Sequence, residues 1–152
     1  MGIEISVVIP TRNSERFVAK TLQAIQQGTY HPVEILVVDG CSTDQTVSIA
    51  RSFGVKVVEN RTLHAASARN IGILKARSPI VAFTDSDCIP AANWLESIAF
   101  AFLDDPKLEG VGGPVLLSQP KNQIQAYSAH VFERIKSFPD QPTIITKKGV
   151  GG

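Results

Sequence analysis

Two aspartates one residue apart, Asp85-Ser86-Asp87, follow directly on the apolar run Ile80-Val-Ala-Phe-Thr84. If the chain stays extended there, the two side chains share a face at a separation of roughly 6.8 Å. Carboxylates that close repel by roughly 2 kcal/mol at an effective dielectric of about 20. A divalent cation relieves the repulsion, and hard oxygen ligands suit Mg²⁺ or Mn²⁺, which keep waters and bridge to substrate phosphates. The same two acids would also serve as caps in a turn before a helix starting near Pro90. Asp-x-Asp is a common string, and the pair alone does not choose between cation and cap.

Two other segments end apolar runs in polar groups: Pro10-Thr11-Arg12-Asn13-Ser14-Glu15 and Asp39-Gly40-Cys41-Ser42-Thr43-Asp44. Asp39 needs a partner if it is buried. An Asx-turn or a cap for the following helix would supply one, and so would a nucleobase imide N–H or a ribose hydroxyl. Arg69 is either a solvated surface charge or a fork-shaped donor to a diphosphate. His31, His64 and His130 have no zinc-ligand company and read as structural or exposed.

These groups must be positioned by alternating strands and helices. Ile5–Ile9 is a β-branched run stopped by Pro10. Phe17, Val18, Thr21, Leu22 and Ile25 share a helical face, with Asn13 or Ser14 as N-cap. Val33–Val38 reads as the second strand, and Ser42 and Gln45 have capping-box spacing for a helix running to Gly54. Val55–Val58 is a third strand, followed by a helix through Ala68, Ile71 and Leu74 and a fourth strand at Ile80–Thr84. Pro90 suits a first helical position, with Trp94, Leu95, Ile98 and Phe102 on the apolar side behind it. Val111–Leu117 suggests a fifth strand, Ile124, Tyr127, Val131 and Ile135 another helix, and Thr143–Thr146 a sixth strand. Such alternation implies βαβ crossovers and a mostly parallel sheet with helices on both faces. In an open sheet of this kind, ligands bind beyond the carboxyl ends of the strands, where the three polar segments should converge.

The chain has 152 residues, one domain's worth, with 43% hydrophobic and 19% charged residues, which excludes a disordered chain. A net charge of +1 excludes the strongly basic balance of a nucleic-acid binder. No apolar run reaches the ~18 residues of a membrane span, and the N-terminus lacks a signal peptide's basic region. Cys41 and Cys88 read as free thiols in a reducing compartment, so the chain is expected in the cytoplasm. No G-x-G-x-x-G follows the first strand, and neither a Walker lysine loop nor a Gly-x-Ser-x-Gly elbow is present.

Four stretches, in order, carry a resemblance: Ser6-Val-Val-Ile-Pro-Thr-Arg-Asn13, Val37-Val-Asp-Gly-Cys-Ser-Thr-Asp44, Ala68-Arg-Asn-Ile-Gly72 and Phe83-Thr-Asp-Ser-Asp87, the last followed by Pro90 and Trp94-Leu95. Together they resemble the family 2 glycosyltransferases. The resemblance implies a Rossmann-like GT-A fold, a three-layer α/β/α sandwich, and an inverting transfer of a sugar from a nucleotide-diphosphate donor to an acceptor hydroxyl. It also implies that Pro10, Thr11 and Asn13, with Glu15 nearby, line the nucleoside pocket, that Asp39 hydrogen-bonds the base, and that Arg69 lies near the nucleotide. Asp85 would serve the sugar or ribose and Asp87 the Mn²⁺ or Mg²⁺ on the diphosphate, each counted with the metal pair. The expected donor is a UDP-sugar and the acceptor a glycan, lipid or polysaccharide. Arg12 stands where the family often has an aromatic residue, Gly40 where it often has a second Asp, Ser78 where it often has Gly, and Cys88 where some members carry a third acid.

The family's catalytic base lies in an acidic motif well downstream. Past residue 120 only Glu133 and Asp140 are acidic, and neither sits in such a motif; they are the remaining candidates. The chain therefore reads as one domain, residues 1–152, cut short at its C-terminus, with any link to the cytoplasmic membrane face residing in missing segments. Two other readings stand beside the enzyme. One is a non-catalytic or truncated nucleotide-sugar-binding module. The other is a haloacid-dehalogenase-type phosphatase, which wants its Asp-x-Asp after the first strand, whereas here the pair follows the fourth.

Overall fold

The computed structural model describes residues 2–113 and the strand at 143–144. Backbone contacts gather into two compact units, one ending at Leu103 and one beginning at Asp104. In the first, β1 (Ile5–Thr11), β2 (Glu34–Asp39), β3 (Lys56–Glu59) and β4 (Ile80–Phe83) form a parallel sheet in the order β3-β2-β1-β4. The helices are α1 (Val18–Gln26), α2 (Thr46–Ser52), α3 (Ala65–Lys75) and α4 (Trp94–Asp104). In the second unit, β5 (Val111–Gly112) pairs antiparallel with β6 (Thr143–Ile144). The rest of the expected fifth strand, the helix through Ile124–Ile135, and Glu133 and Asp140 lie outside the described residues.

Period-two alternation on β1 builds both layers. Ile5, Val7 and Ile9 face a core with Val18, Leu22 and Ile25 of α1, Ala50 of α2, and Leu95 and Ala99 of α4. Val8 faces the other way, into a core with Leu36, Val38 and Ala68 of α3. This is the three-layer α/β/α arrangement expected. α3 seats on the sheet through Ala68 and Gly72, and Leu74, near its end, is 83% exposed. A Cβ on Gly72 would come within 2.3 Å of Val8 Cγ1, so the missing side chain sets the closeness of helix to sheet.

Several boundaries differ from expectation, each for a local reason. β1 does not stop at Pro10, which pairs in register with Val38. The Val8 carbonyl accepts from Thr84 on the β4 side and the Thr11 carbonyl from Gly40 on the β2 side. Pro10 therefore directs its missing N–H toward β4, whose pairing has already ended at Val8↔Phe83. α1 starts with Phe17 as its N-cap, not Asn13 or Ser14, although the Ser14 carbonyl accepts from Phe17 and Val18 N–H. The Ser42–Gln45 capping box does not form. Gln45 is the N-cap of α2, and the Ser42 hydroxyl is taken by Asp39. α2 does close at Gly54, whose φ of +71° favours glycine. Pro90 lies four residues before α4 begins, so it is not that helix's first residue.

Candidate donor-binding site

The strand order reverses between β1 and β4: the chain steps outward from β1 to β2 and β3, then returns to the other side of β1. The crevice beyond such a reversal is where open α/β sheets take ligands. A cleft of about 380 Å³ opens there. Its walls are residues 10–14 and Phe17 behind β1, Gly40 behind β2, Asn60 and the start of α3 behind β3, and Asp85, Ser86 and Asp87 behind β4.

Of the residues singled out from sequence, Pro10, Thr11, Asn13, Asp85 and Asp87 line this cleft. Thr11 is buried and its hydroxyl donates to the Ile9 carbonyl. Asn13 has a φ of +48°, gives its N–H to the Ser42 hydroxyl and accepts from the Thr43 N–H, latching the first loop to the second. Glu15, Asp39 and Arg69 are not on the cleft wall. The Glu15 carboxylate accepts from the Gln45 N–H at 3.1 Å. Asp39 is buried and accepts from both the N–H and the hydroxyl of Ser42. The Asx-type turn is thus the partner it has in this structure. Arg69 reaches Asp85 at 2.7 Å.

The acidic pair departs from the extended geometry expected. β4 ends at Phe83, and Asp85–Asp87 form a turn closed by the Cys88 N–H donating to the Asp85 carbonyl. The two acids are held differently. Asp85 is engaged by Arg69, whereas the contact recorded for the exposed Asp87 carboxylate is the Cys88 thiol at 4.0 Å. Burial, then the charges of Asp87 and Asp85, hold the Cys88 thiol above its ordinary pKa.

A divalent cation fits this donor set. Asp87 offers hard carboxylate oxygens that no strong donor among the described residues occupies, and its acidic neighbour lies two residues away. No cluster of three or more His, Cys, Asp or Glu suited to a metal exists among the described residues.

Three structural participants were not assigned site roles from sequence. Asn60 is fully buried and ties the loop behind β3 together. Its amide donates to the His64 carbonyl, its side-chain oxygen accepts from the Thr62 N–H and hydroxyl, and its backbone N–H donates to the Asp39 carbonyl. Its place directly behind a strand, like that of Asp39, was the available signal. Ser86 and Thr21 are the others; in the sequence the first is only the spacer of Asp-x-Asp and the second one more position on a helical face. Among the described residues, three non-glycine residues have positive φ, Asn13, Cys41 and Leu63 (φ 63°), and they stand one in each loop behind β1, β2 and β3. Strain of this kind concentrates where a loop must present groups to a ligand. His64 is exposed, as expected, although it borders the cleft.

A sequence model of the family described as Glycosyl transferase family 2 matches residues 6–148. Among curated proteins, the chain is 34% identical over 142 residues to Glycosyltransferase AglE of Haloferax volcanii, covering 88% of this chain and 44% of that protein. It is 30% identical over 126 residues to the poly(ribitol-phosphate) beta-N-acetylglucosaminyltransferase TarS of Staphylococcus aureus, covering 73% of this chain and 22% of that one. The chain thus spans less than half the length of each. Among solved structures, S. aureus TarS 1–349 in complex with UDP aligns with a TM-score of 0.66 at 26% identity, over 78% of this chain and 38% of that chain.

Proposed function

The chain belongs to glycosyl transferase family 2, and on that premise we propose that it forms the donor-binding part of an enzyme that moves a sugar from a UDP-sugar to an acceptor hydroxyl. The observation that carries this reading is the cleft at the β1/β4 reversal, which collects an acidic turn able to offer oxygens to a cation and the strand-end loops in one place. The similarity to a protein crystallised with UDP supports uracil as the base.

In this reading the nucleoside lies along the loops behind β1 and β2, with Pro10, Thr11 and Asn13 shaping the pocket, while Glu15, bonded to the Gln45 N–H, and Asp39, bonded to Ser42, stand off the cleft wall and brace the loops that carry it. The diphosphate lies toward the turn behind β4. Asp87, with Asp85, would hold Mn²⁺ or Mg²⁺, which when bound would supply positive charge to the departing diphosphate. Arg69, held at the same turn by Asp85, adds a fork of donors on that side. The acceptor oxygen attacks the anomeric carbon opposite the diphosphate in a single displacement, which inverts that centre. The sugar–phosphate C–O bond breaks, its electron pair leaves with UDP, and the acceptor proton passes to a carboxylate base; Glu133 and Asp140 are the candidates carried from the sequence. The acceptor class is a glycan, lipid or polysaccharide. No helix among the described residues is long and apolar enough to cross a membrane. Free Cys41 and Cys88 suit a reducing compartment, and we place the chain in the cytoplasm.

Calorimetry with UDP, GDP and ADP, each with Mn²⁺ and with EDTA, tests the reading. Metal-dependent binding of UDP is expected, and no binding of any of the three would refute it. A trapped aspartyl-phosphate would point instead to the phosphatase.

A further inference from the structure

The spacer residue of the acidic turn is tied to the rest of the domain more firmly than the acids beside it. Thr21 lies on the buried face of α1 with 1% exposure, among Val18, Leu22 and Ile25. Its hydroxyl lies 2.8 Å from the Ser86 carbonyl and 2.7 Å from the Cys88 carbonyl, sixty-five and sixty-seven residues away in the chain. A hydroxyl on an apolar helix face is costly to bury without such partners, and Val would fill the same volume. Ser86, itself buried, turns inward so that its hydroxyl oxygen lies 2.8 Å from that of Ser14. Ser14 in turn donates its hydroxyl to the Arg12 carbonyl and its N–H to the Thr46 hydroxyl, which donates to the Asp44 carboxylate. One polar chain thus runs from the α2 start through the β1 loop to the turn behind β4.

We propose that Thr21, acting with the Ser14–Ser86 pair, is a positioning residue for the acidic turn. By holding the carbonyls of Ser86 and Cys88 inward, it forces the Asp87 carboxylate outward into the cleft, preset for the cation on the donor diphosphate. Among the described residues Asp87 has no strong donor to orient it, and the backbone beneath takes that role. The idea rests on the donor-site reading above and adds to it a residue that touches neither donor nor ion.

The test uses the full 152-residue chain with Thr21→Val, Thr21→Ser and Ser86→Ala. Calorimetry with UDP in Mn²⁺ and in EDTA gives the metal-dependent gain in affinity, and thermal melting gives stability. Thr21→Val should lose roughly 5- to 10-fold of the metal-dependent gain, the scale of one hydrogen bond, while UDP affinity in EDTA is unchanged. Thr21→Ser, which keeps the hydroxyl, should restore most of the gain. A merely structural role would lower the melting temperature and weaken binding in Mn²⁺ and EDTA alike, which would overturn the proposal. So would a full metal-dependent gain in Thr21→Val. If that variant does not fold, Ser86→Ala carries the same expectation and the same refutation. Failure of the unaltered chain to bind UDP with Mn²⁺ would instead overturn the donor-site reading, and this proposal with it.

Discussion

The Arg69 guanidinium lies 2.7 Å from the Asp85 carboxylate, joining α3 to the turn behind β4. Asp87, two residues on, has among the described residues only the Cys88 thiol, at 4.0 Å, as a polar contact. The two acids of one short motif are therefore unequal before any ligand arrives. One is already compensated by a cation from the protein, and the other is left to find one.

Asp87→Asn should accordingly weaken Mn²⁺-dependent UDP binding more than Asp85→Asn. Losing a charge-assisted contact costs roughly 1.5–3 kcal/mol, and calorimetry in Mn²⁺ and in EDTA reads both variants. Equal losses would contradict the division of roles.

At the opposite end of the sheet, Glu34 is nearly buried and accepts from the Ser6 hydroxyl, the Arg77 N–H and the Arg77 guanidinium. Burial alone would raise its pKa, but the Arg77 N–H, the Ser6 hydroxyl and the Arg77 charge together outweigh it and lower the value. A carboxyl with a depressed folded pKa stabilises the fold above its unfolded pKa, about 4.3. That stabilisation is lost as pH falls through the folded value. Glu34→Gln should cost roughly 1.5–3 kcal/mol at pH 7, and the gap from the unaltered chain should narrow as pH falls below the ordinary carboxylate range. Denaturant melts across that range measure it, and a gap independent of pH would exclude the charge as its source.

Gly72→Ala replaces a poor helix former with the best one, a gain of about 1 kcal/mol in an exposed helix. Here the new Cβ would meet both Val8 methyls, at 2.3 and 2.8 Å. Overpacking of this kind costs roughly 1–3 kcal/mol, and the clash should win. A lowered melting temperature is expected. Because α3 carries Arg69 and one wall of the cleft, UDP affinity should fall as well. An unchanged or raised melting temperature would show that α3 can lift off β1 without cost.

Both cysteines are free, Cys41 exposed and Cys88 half-buried beside the acidic turn. A disulfide reagent applied to the native chain should therefore modify Cys41 first and Cys88 slowly, with denaturant releasing both at equal rates. Faster modification of Cys88 would mean that the turn behind β4 opens more readily than its hydrogen bonds suggest.

The residue string by itself determined the order of strands and helices through β4, the parallel sheet, and the polar segments at three strand ends. Each follows from local signals: β-branched runs, helical spacing, and breaks at Gly and polar clusters. The family was legible for the same reason, since its motifs are contiguous strings. What only the tertiary structure decided are pairings that no local signal encodes. Pro10 remains in β1 because β4 happens to end beside it. Asp39 answers to Ser42, and Ser42 is thereby lost to the helix cap its spacing suggested. Leu74 is exposed because Ala68 and Gly72, small enough to approach Val8, fix which face of α3 meets the sheet. Thr21 reads as one more position on an apolar stripe until the sheet order brings the Ser86 and Cys88 carbonyls against it. Short-range periodicity specifies elements, whereas the partner of a buried hydroxyl or carboxylate depends on which strands become neighbours, and that is settled only when the whole core packs.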